Sequence, residues 1–214
     1  SMGTFGEDCA AKYQFTREQQ DAFATASVQR AKAATESGAF AAEIVPVTVK
    51  DRSGERVVSV DEGPGKVKLE KIATLKPAFK KDGTITAASS SSINDGAAAL
   101  VMMRESTAKK LGAKPLARIV SHATHAQEPE WFATAPLGAT QKALAKAGWQ
   151  VGDVQLWEIN EAFAVVPMAL MKELDLPHDK VNVNGGACAL GHPIGASGAR
   201  IMVTLIHALK ARGL

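Results

Sequence analysis

Val181-Asn182-Val183-Asn184 runs into Gly185-Gly186-Ala187-Cys188-Ala189-Leu190-Gly191-His192-Pro193-Ile194-Gly195-Ala196-Ser197-Gly198, and a helical pattern follows from about Ser197 to Ala211. A short β-branched run, a glycine-rich turn and a helix make a strand-to-helix unit, and this one is not alone. Leu116 to Ser121 and Val154 to Ile159 read as strands, while Pro136 to Ala147 and the residues from Glu161 onward read as helices. Strands alternating with helices of this length predict an α/β layered domain. Pro167 falls inside the helix that opens at Glu161, which predicts a kink or restart there. Val154 to Ile159 ends in Asn160-Glu161-Ala162-Phe163. In an open α/β sheet the crevice at the carboxyl ends of the strands binds ligands, so Asn160 and His192 are both placed to face one.

Upstream the grammar changes. Thr16 with Gln19 forms a capping box, and Ala22, Phe23, Ala26, Arg30 and Ala33 trace a helical face to a stop at Gly38. Val45, Val47 and Val49 alternate up to Asp51-Arg52-Ser53-Gly54, and Val58 and Val60 alternate beyond it, which is a hairpin with Pro46 marking a sheet edge. Between Asp61 and Asp82 lie six lysines around Leu69, Ile72 and Leu75. These lysines attract an anionic ligand or form a solvated face, and the solvated face is the favoured reading. Ser89-Ser90-Ser91-Ser92 is a polar crossing, and Ala97 to Met103 behind it is a candidate buried strand, so a boundary is expected near Ile93.

Composition narrows the function classes. The 214 residues are 46% hydrophobic and 22% charged, the signature of a core-forming chain. A net charge of +3 is too small and too dispersed for a nucleic-acid binder. No apolar run approaches the roughly 20 residues that span a bilayer, and no membrane attachment is expected. Cys9 and Cys188 lie far apart in a chain large enough to build a core without staples, so a reducing aqueous compartment, the cytoplasm, is the expectation.

The glycines at 185, 186, 191, 195 and 198 let backbone approach either a ligand or a neighbouring segment. Neither G-x-G-x-x-G nor a Walker loop is present, which argues against a phosphate cradle. His192, held between Gly191 and Pro193, is suited to moving a proton or donating to a developing oxyanion. Spacing alone leaves that open against a merely satisfied polar residue. Cys188 and His192 have i, i+4 spacing, but two ligands without a third make weak evidence for zinc, and no metal is expected. Asn160 fits an N-cap, or it holds a water or a substrate oxygen. Glu161 suits the first turn of a helix. His122, His125, His178 and His207 read as structural or surface groups, and Trp131, Trp149 and Trp157 as packing.

Taken together, Asn-Glu-Ala-Phe at 160 to 163 and the segment from Gly185 to Arg200 resemble the signatures of thiolases, specifically acetyl-CoA acetyltransferases. Leu75 to Phe79, Asp82 to Ala87 and Ile93 to Ala99 are similar to the family as well, so the resemblance covers essentially the whole chain. It implies a thiolase fold of two βαβαβαββ halves, with a loop domain over coenzyme A. Residues 1–93 would be that loop domain, 94–114 the end of the first half, and 115–214 most of the second. It further implies that His192 and a water held by Asn160 form an oxyanion hole for an acyl thioester. Ser91, Phe79, Met2, Ala162 and Phe163 would contact coenzyme A, a substrate rather than a cofactor. Ala88-Ser89 departs from the Gly-Asn of many relatives. The family's two catalytic cysteines have no counterpart in Cys9 or Cys188, so the chain is expected to be roughly the second half of a thiolase, trimmed at both ends. The Ser1-Met2 start reads as a cloning remnant. Three functions follow as expectations: condensation of two acetyl-CoA to acetoacetyl-CoA and its reversal, a 3-ketoacyl-CoA thiolase of broader range, or an inactive coenzyme A-binding or complementation fragment. A homo-oligomer, dimer or tetramer, is expected of the full-length protein, and exposed apolar surface of the chain itself.

Overall fold

The structure, a computed structural model, describes residues Ser1 to Leu214. Helix α1 spans Met2–Tyr13, its first turn closed by a capping box between Ser1 and Thr4. Nothing in the sequence pattern announced this helix, because Gly3 and Gly6 interrupt it. Both glycines are contact points: a Cβ on Gly3 would overlap the Phe79 ring, and one on Gly6 would press on Ile85. Buried Glu7 secures α1 by accepting the backbone N–H groups of Thr84, at 2.9 Å, and Ile85, also at 2.9 Å.

Helix α2, Arg17–Glu36, begins at the expected Thr16–Gln19 capping box. Its buried stripe is Phe23, Ala24, Ser27, Val28, Ala31 and Ala34, whereas Ala22 and Ala33 face solvent. The face traced through Ala22, Phe23, Ala26, Arg30 and Ala33 is displaced because a polar residue, Ser27, belongs to the buried side. Strands β1, Val47–Asp51, and β2, Gly54–Val58, pair antiparallel as the expected hairpin. Helix α3, Glu62–Lys66, and a 3-10 turn over Leu69–Thr74 follow. There Ile72 is buried while all six lysines are exposed, two of them paired with Glu62 and Asp8, the arrangement of a solvated face.

The expected buried strand at Ala97 to Met103 is not present. That segment is unpaired chain, with Val101 89% exposed. Leu116 to Ser121 is likewise not a strand, and Leu116, Ile119 and Val120 are exposed. A strand exists only through its ladder, and these two segments have no neighbouring backbone to pair with in this chain. The apolar surface they expose agrees with the exposure expected above. Helix α4, Glu105–Leu111, lies between them. Helix α5, Ala135–Ala147, occupies its expected place behind a 3-10 turn over Pro129–Thr134.

Val154 to Ile159 and Val181 to Val183, expected as full strands, meet through a single parallel bridge, Trp157 with Val181. Trp157 N–H donates to Lys180 O and Asn182 N–H to Trp157 O, each at 2.9 Å. Helix α6 covers Val165–Leu174 and does not open at Glu161. Pro167 sits in its first turn, where the missing N–H costs nothing, so no kink arises. Helix α7, Ala187–Leu190, and helix α8, Ser197–Ala211, complete the chain. No helix is long and apolar enough to cross a membrane.

The main core joins α1 to α6 through Cys9, Ala10, Tyr13, Ile85, Phe163, Val165 and Ala169. A second cluster of Ile159, Leu170, Leu176 and Val181 seats the bridged strand ends, with Trp157 packed against it. Trp149 departs from the packing expectation, being 45% exposed. His178 stacks on Phe23 at 4.9 Å, a packing role.

Candidate active site

The single bridge between Trp157 and Val181 sets two strand ends side by side, and the residues that leave them turn toward each other. Asn160 Nδ2 lies 3.4 Å from His192 Nε2. Asn160 starts no helix, so the N-cap alternative falls away. Its Oδ1 is buried without a partner, a polar atom that structure alone does not require.

His192 is held from three sides. Its N–H donates to Ser92 O at 3.0 Å, and its Nδ1 lies 2.5 Å from Ser197 Oγ in the first turn of α8. Ser197 Oγ donates to Pro193 O at 3.1 Å. Gly191 before it takes φ 89°, a left-handed conformation, and a Cβ there would overlap Asn94. Gly191 is thus required by geometry, whereas Gly195 and Gly198 have open space around them and serve no close packing. Burial first, and the charge of Arg200 second, lower the His192 imidazole below its ordinary value. The ring is therefore neutral at neutral pH, with one nitrogen bearing the proton. With the Ser197 O–H on Pro193 O, the ring proton sits on Nδ1 and donates to Ser197 Oγ, which leaves Nε2 to accept from Asn160 Nδ2.

Glu161, expected in a helix first turn, is instead a fully buried hub. Its carboxylate accepts from Ser27 Oγ at 2.7 Å, Asn182 Nδ2 at 2.8 Å and Cys188 N–H at 2.9 Å. Asn182 Nδ2 also donates to Ile159 O and its Oδ1 accepts from Ile159 N–H, both at 2.8 Å, so the two strand ends are locked together. Gly186 is glycine because any Cβ would strike this carboxylate. The role of Glu161, like that of Ser197, was hidden in the sequence. The only available signal was an acidic residue beside an apolar strand with no cation near it in sequence.

The five residues expected at coenzyme A gather around the N-terminus of α1. Ser91 donates through both its N–H, at 3.1 Å, and its Oγ, at 3.0 Å, to Ala162 O. Ser90 bridges Phe163, and Phe79, 39% exposed, meets Phe163 edge-on at 5.7 Å. Met2 lies beside Gly3, on which the Phe79 ring rests, and is 54% exposed. Ser92 joins this group to His192. Two clefts of about 370 Å³ lie elsewhere, one against Arg30, His207 and Arg212, the other against Glu7 and Thr84.

Neither cysteine is primed for attack. Burial pushes the Cys9 thiol up to about 11, and burial with the Glu161 carboxylate alongside raises Cys188 well above its ordinary value. Cys188 is an i, i+4 neighbour of His192, but no group of three His, Cys, Asp or Glu side chains is disposed to hold a metal.

Residues 1–106 match the thiolase N-terminal domain and residues 113–214 the thiolase C-terminal domain. The chain belongs to the thiolase family. This thiolase chain is 54% identical over 215 residues to a probable acetyl-CoA acetyltransferase of Dictyostelium discoideum, covering 100% of itself and 52% of that protein. It superposes on the crystal structure of the Bacillus anthracis acetyl-CoA acetyltransferase with a TM-score of 0.96 at 50% identity, covering 100% of itself and 54% of that chain. Against human mitochondrial 3-ketoacyl-CoA thiolase the TM-score is 0.88 at 40% identity, covering 98% and 53%. The thiolase fold expected from the sequence is therefore present, and the chain spans about half the length of the curated relatives it matches.

Proposed function

We propose that this protein is a thiolase-type acyltransferase that condenses two acetyl-CoA to acetoacetyl-CoA and runs the reverse thiolysis. The observation that carries this reading is the approach of Asn160 to His192 at 3.4 Å where two strand ends meet. In condensation a general base takes a proton from the α-carbon of one acetyl-CoA, and negative charge gathers on its thioester oxygen. The carbanion then attacks an acyl-enzyme thioester, and the enzyme's thiolate departs. A neutral imidazole donating through Nε2 stabilises that oxygen without competing for charge, and this tautomer is reached when the Ser197 O–H turns from Pro193 O to Nδ1 and the thioester oxygen takes the place of the Asn160 amide at Nε2. Asn160, with a buried unpartnered oxygen, is suited to hold a water as the second donor. Each donor of this kind lowers the barrier by about 3 to 4 kcal/mol.

In this reading residues 1–93 form a loop domain over coenzyme A, 94–114 end the first half and 115–214 belong to the second. The gathering of Ser91, Phe79, Met2, Ala162 and Phe163 supports the coenzyme A contact. The full-length protein is a homo-oligomer in a reducing aqueous compartment, the cytoplasm, consistent with two free thiols. Replacing His192 by Ala in the active enzyme lowers turnover roughly 10²- to 10³-fold with the fold intact; near-normal turnover refutes the assignment.

Two further readings have their own observations. The likeness to human mitochondrial 3-ketoacyl-CoA thiolase supports a broader chain-length range, and activity on long-chain ketoacyl-CoA would favour it. The raised thiols of Cys9 and Cys188 support a chain that binds coenzyme A or complements another segment without turning over by itself. A thiolysis assay on the 214-residue chain decides that point, since measurable turnover would require a primed thiol.

A further inference from the structure

The serine run Ser89 to Ser92 joins the two limbs of the site. Its first part pairs with the chain that leaves Asn160: Ser90 bridges Phe163, Ala164 N–H donates to Ser89 O at 2.8 Å and Ser91 N–H to Ala162 O at 3.1 Å. Its last member, Ser92, accepts the His192 N–H through its carbonyl at 3.0 Å, and two residues on, Asn94 fills the space that a Cβ on Gly191 would need. Four consecutive residues thus touch the Asn160 limb and the His192 limb, with Ser91 between them.

From Thr86 to Ser92 no backbone N–H donates to a backbone carbonyl of the same turn. Side chains close it instead. Thr86, fully buried, accepts Ala88 N–H at 3.2 Å and Ser89 N–H at 3.4 Å on its Oγ1. Its own N–H donates to Ser89 Oγ at 2.9 Å, and its carbonyl accepts from Ser90 Oγ at 2.7 Å. A hydroxyl that collects the N–H groups following it takes the place of a backbone turn. Buried N–H groups left without a partner are rare, so removing that hydroxyl forces the turn to move.

We infer that Thr86 is a positioning residue for the proposed reaction: by closing this turn with Ser89 it fixes Ser91 and the Ser92 carbonyl at one spacing, and so sets the coenzyme A contact and the His192 ring relative to each other. The inference rests on the reading of His192 and Asn160 as the oxyanion pair and of Ser91 as a coenzyme A contact.

NMR of the histidine ring resonances in the 214-residue chain tests the placement, with His192→Gln assigning the His192 signal. Glu158, two residues before Asn160, has a side chain 3% exposed with neither oxygen hydrogen-bonded, and it faces Arg200 at 3.8 Å. Burial keeps its proton on up to about pH 8, so all spectra are compared at one pH. Thr86→Val, nearly the same in shape but without the hydroxyl, should displace the His192 signal, and Thr86→Ser should return it. Ser89→Ala, which removes only the acceptor of Thr86 N–H, should displace it as well and keeps the test open should Thr86→Val not fold. His178, stacked on Phe23, should stay in place. An unmoved His192 signal in folded Thr86→Val, or in Ser89→Ala, overturns the inference, and so does a joint shift of His192 and His178, which would mean general loosening. In the active enzyme Thr86→Val should raise KM for acetyl-CoA and lower kcat together, by up to about 10²-fold in kcat/KM, with Thr86→Ser close to the parent. A turn with a merely structural role would lower Tm and leave both constants of the folded enzyme unchanged, and a rise in KM alone would confine the turn to the coenzyme A side; either result overturns the inference. The NMR measurement reads no turnover. Survival of activity in His192→Ala therefore sinks the thiolase reading and leaves the placement standing, and an unmoved His192 signal does the reverse.

Discussion

Glu161→Gln replaces one oxygen of the buried hub by an NH₂ group and changes little in shape. The amide oxygen can keep the position that accepts from Ser27 Oγ and Cys188 N–H. The new NH₂ then faces Asn182 Nδ2, formerly a donor to the carboxylate at 2.8 Å. One charge-assisted bond is lost, and two donors oppose each other where both side chains are buried. A buried donor left unmatched costs about 1–3 kcal/mol, so the variant should lose about 2 kcal/mol. Glu161→Ala removes every acceptor and leaves a cavity, which should cost about 4 kcal/mol. For a chain of this size each kcal/mol corresponds to roughly 2–4 °C in Tm. Urea unfolding followed by circular dichroism measures both, and Ser27→Ala completes a cycle: Ser27 Oγ also accepts Gly186 N–H at 2.9 Å, so the two side chains should couple by about 1 kcal/mol or more. If Glu161→Ala stays within about 0.5 kcal/mol of the parent, the range of ordinary surface changes, the hub is not what joins α2 to the two strand ends.

Other consequences are as concrete. Glu158 keeps its proton in the folded state up to about pH 8 but loses it in the unfolded chain above its ordinary value of 4.5. Stability should therefore fall as pH rises between those values, by roughly 1.4 kcal/mol per unit from this group, and Glu158→Gln should flatten the slope; an unchanged slope by urea midpoints argues for an ionised carboxylate. Gly191→Ala places a side chain at φ 89° and against Asn94. It should cost about 1–3 kcal/mol and displace the His192 resonance, and an unshifted resonance would contradict the frame described for that ring. Tyr13→Phe removes a 2.7 Å bond to Glu173 and should cost about 1–2 kcal/mol by thermal melting, with no loss meaning the bond is absent in solution. Both thiols should resist alkylation at neutral pH; rapid labelling of Cys9 or Cys188 would show a primed nucleophile.

Local chemistry made much of this legible in the sequence. The Thr16–Gln19 capping box, the hairpin turn at Asp51 to Gly54 and helices α5 and α8 depend on neighbours within a few residues. The pairing of Asn160 with His192 could be anticipated because each follows an apolar run that ends in residues no core requires. The strands expected at Ala97 to Met103 and Leu116 to Ser121 were less secure, since an apolar pattern states only that a segment would pair if a partner came alongside. Sequence by itself thus determined helices α2, α5 and α8, the hairpin, the family and the two polar groups at the strand ends. Tertiary structure decided the burial of Glu161 beneath Ser27, the unmatched Glu158 facing Arg200, the role of Ser197 and the packing of α1 on Phe79 and Ile85. The difference is one of range: capping and turn propensities act between residues adjacent in the chain, whereas burial and the partners of a buried charge come from segments that meet only when the chain folds.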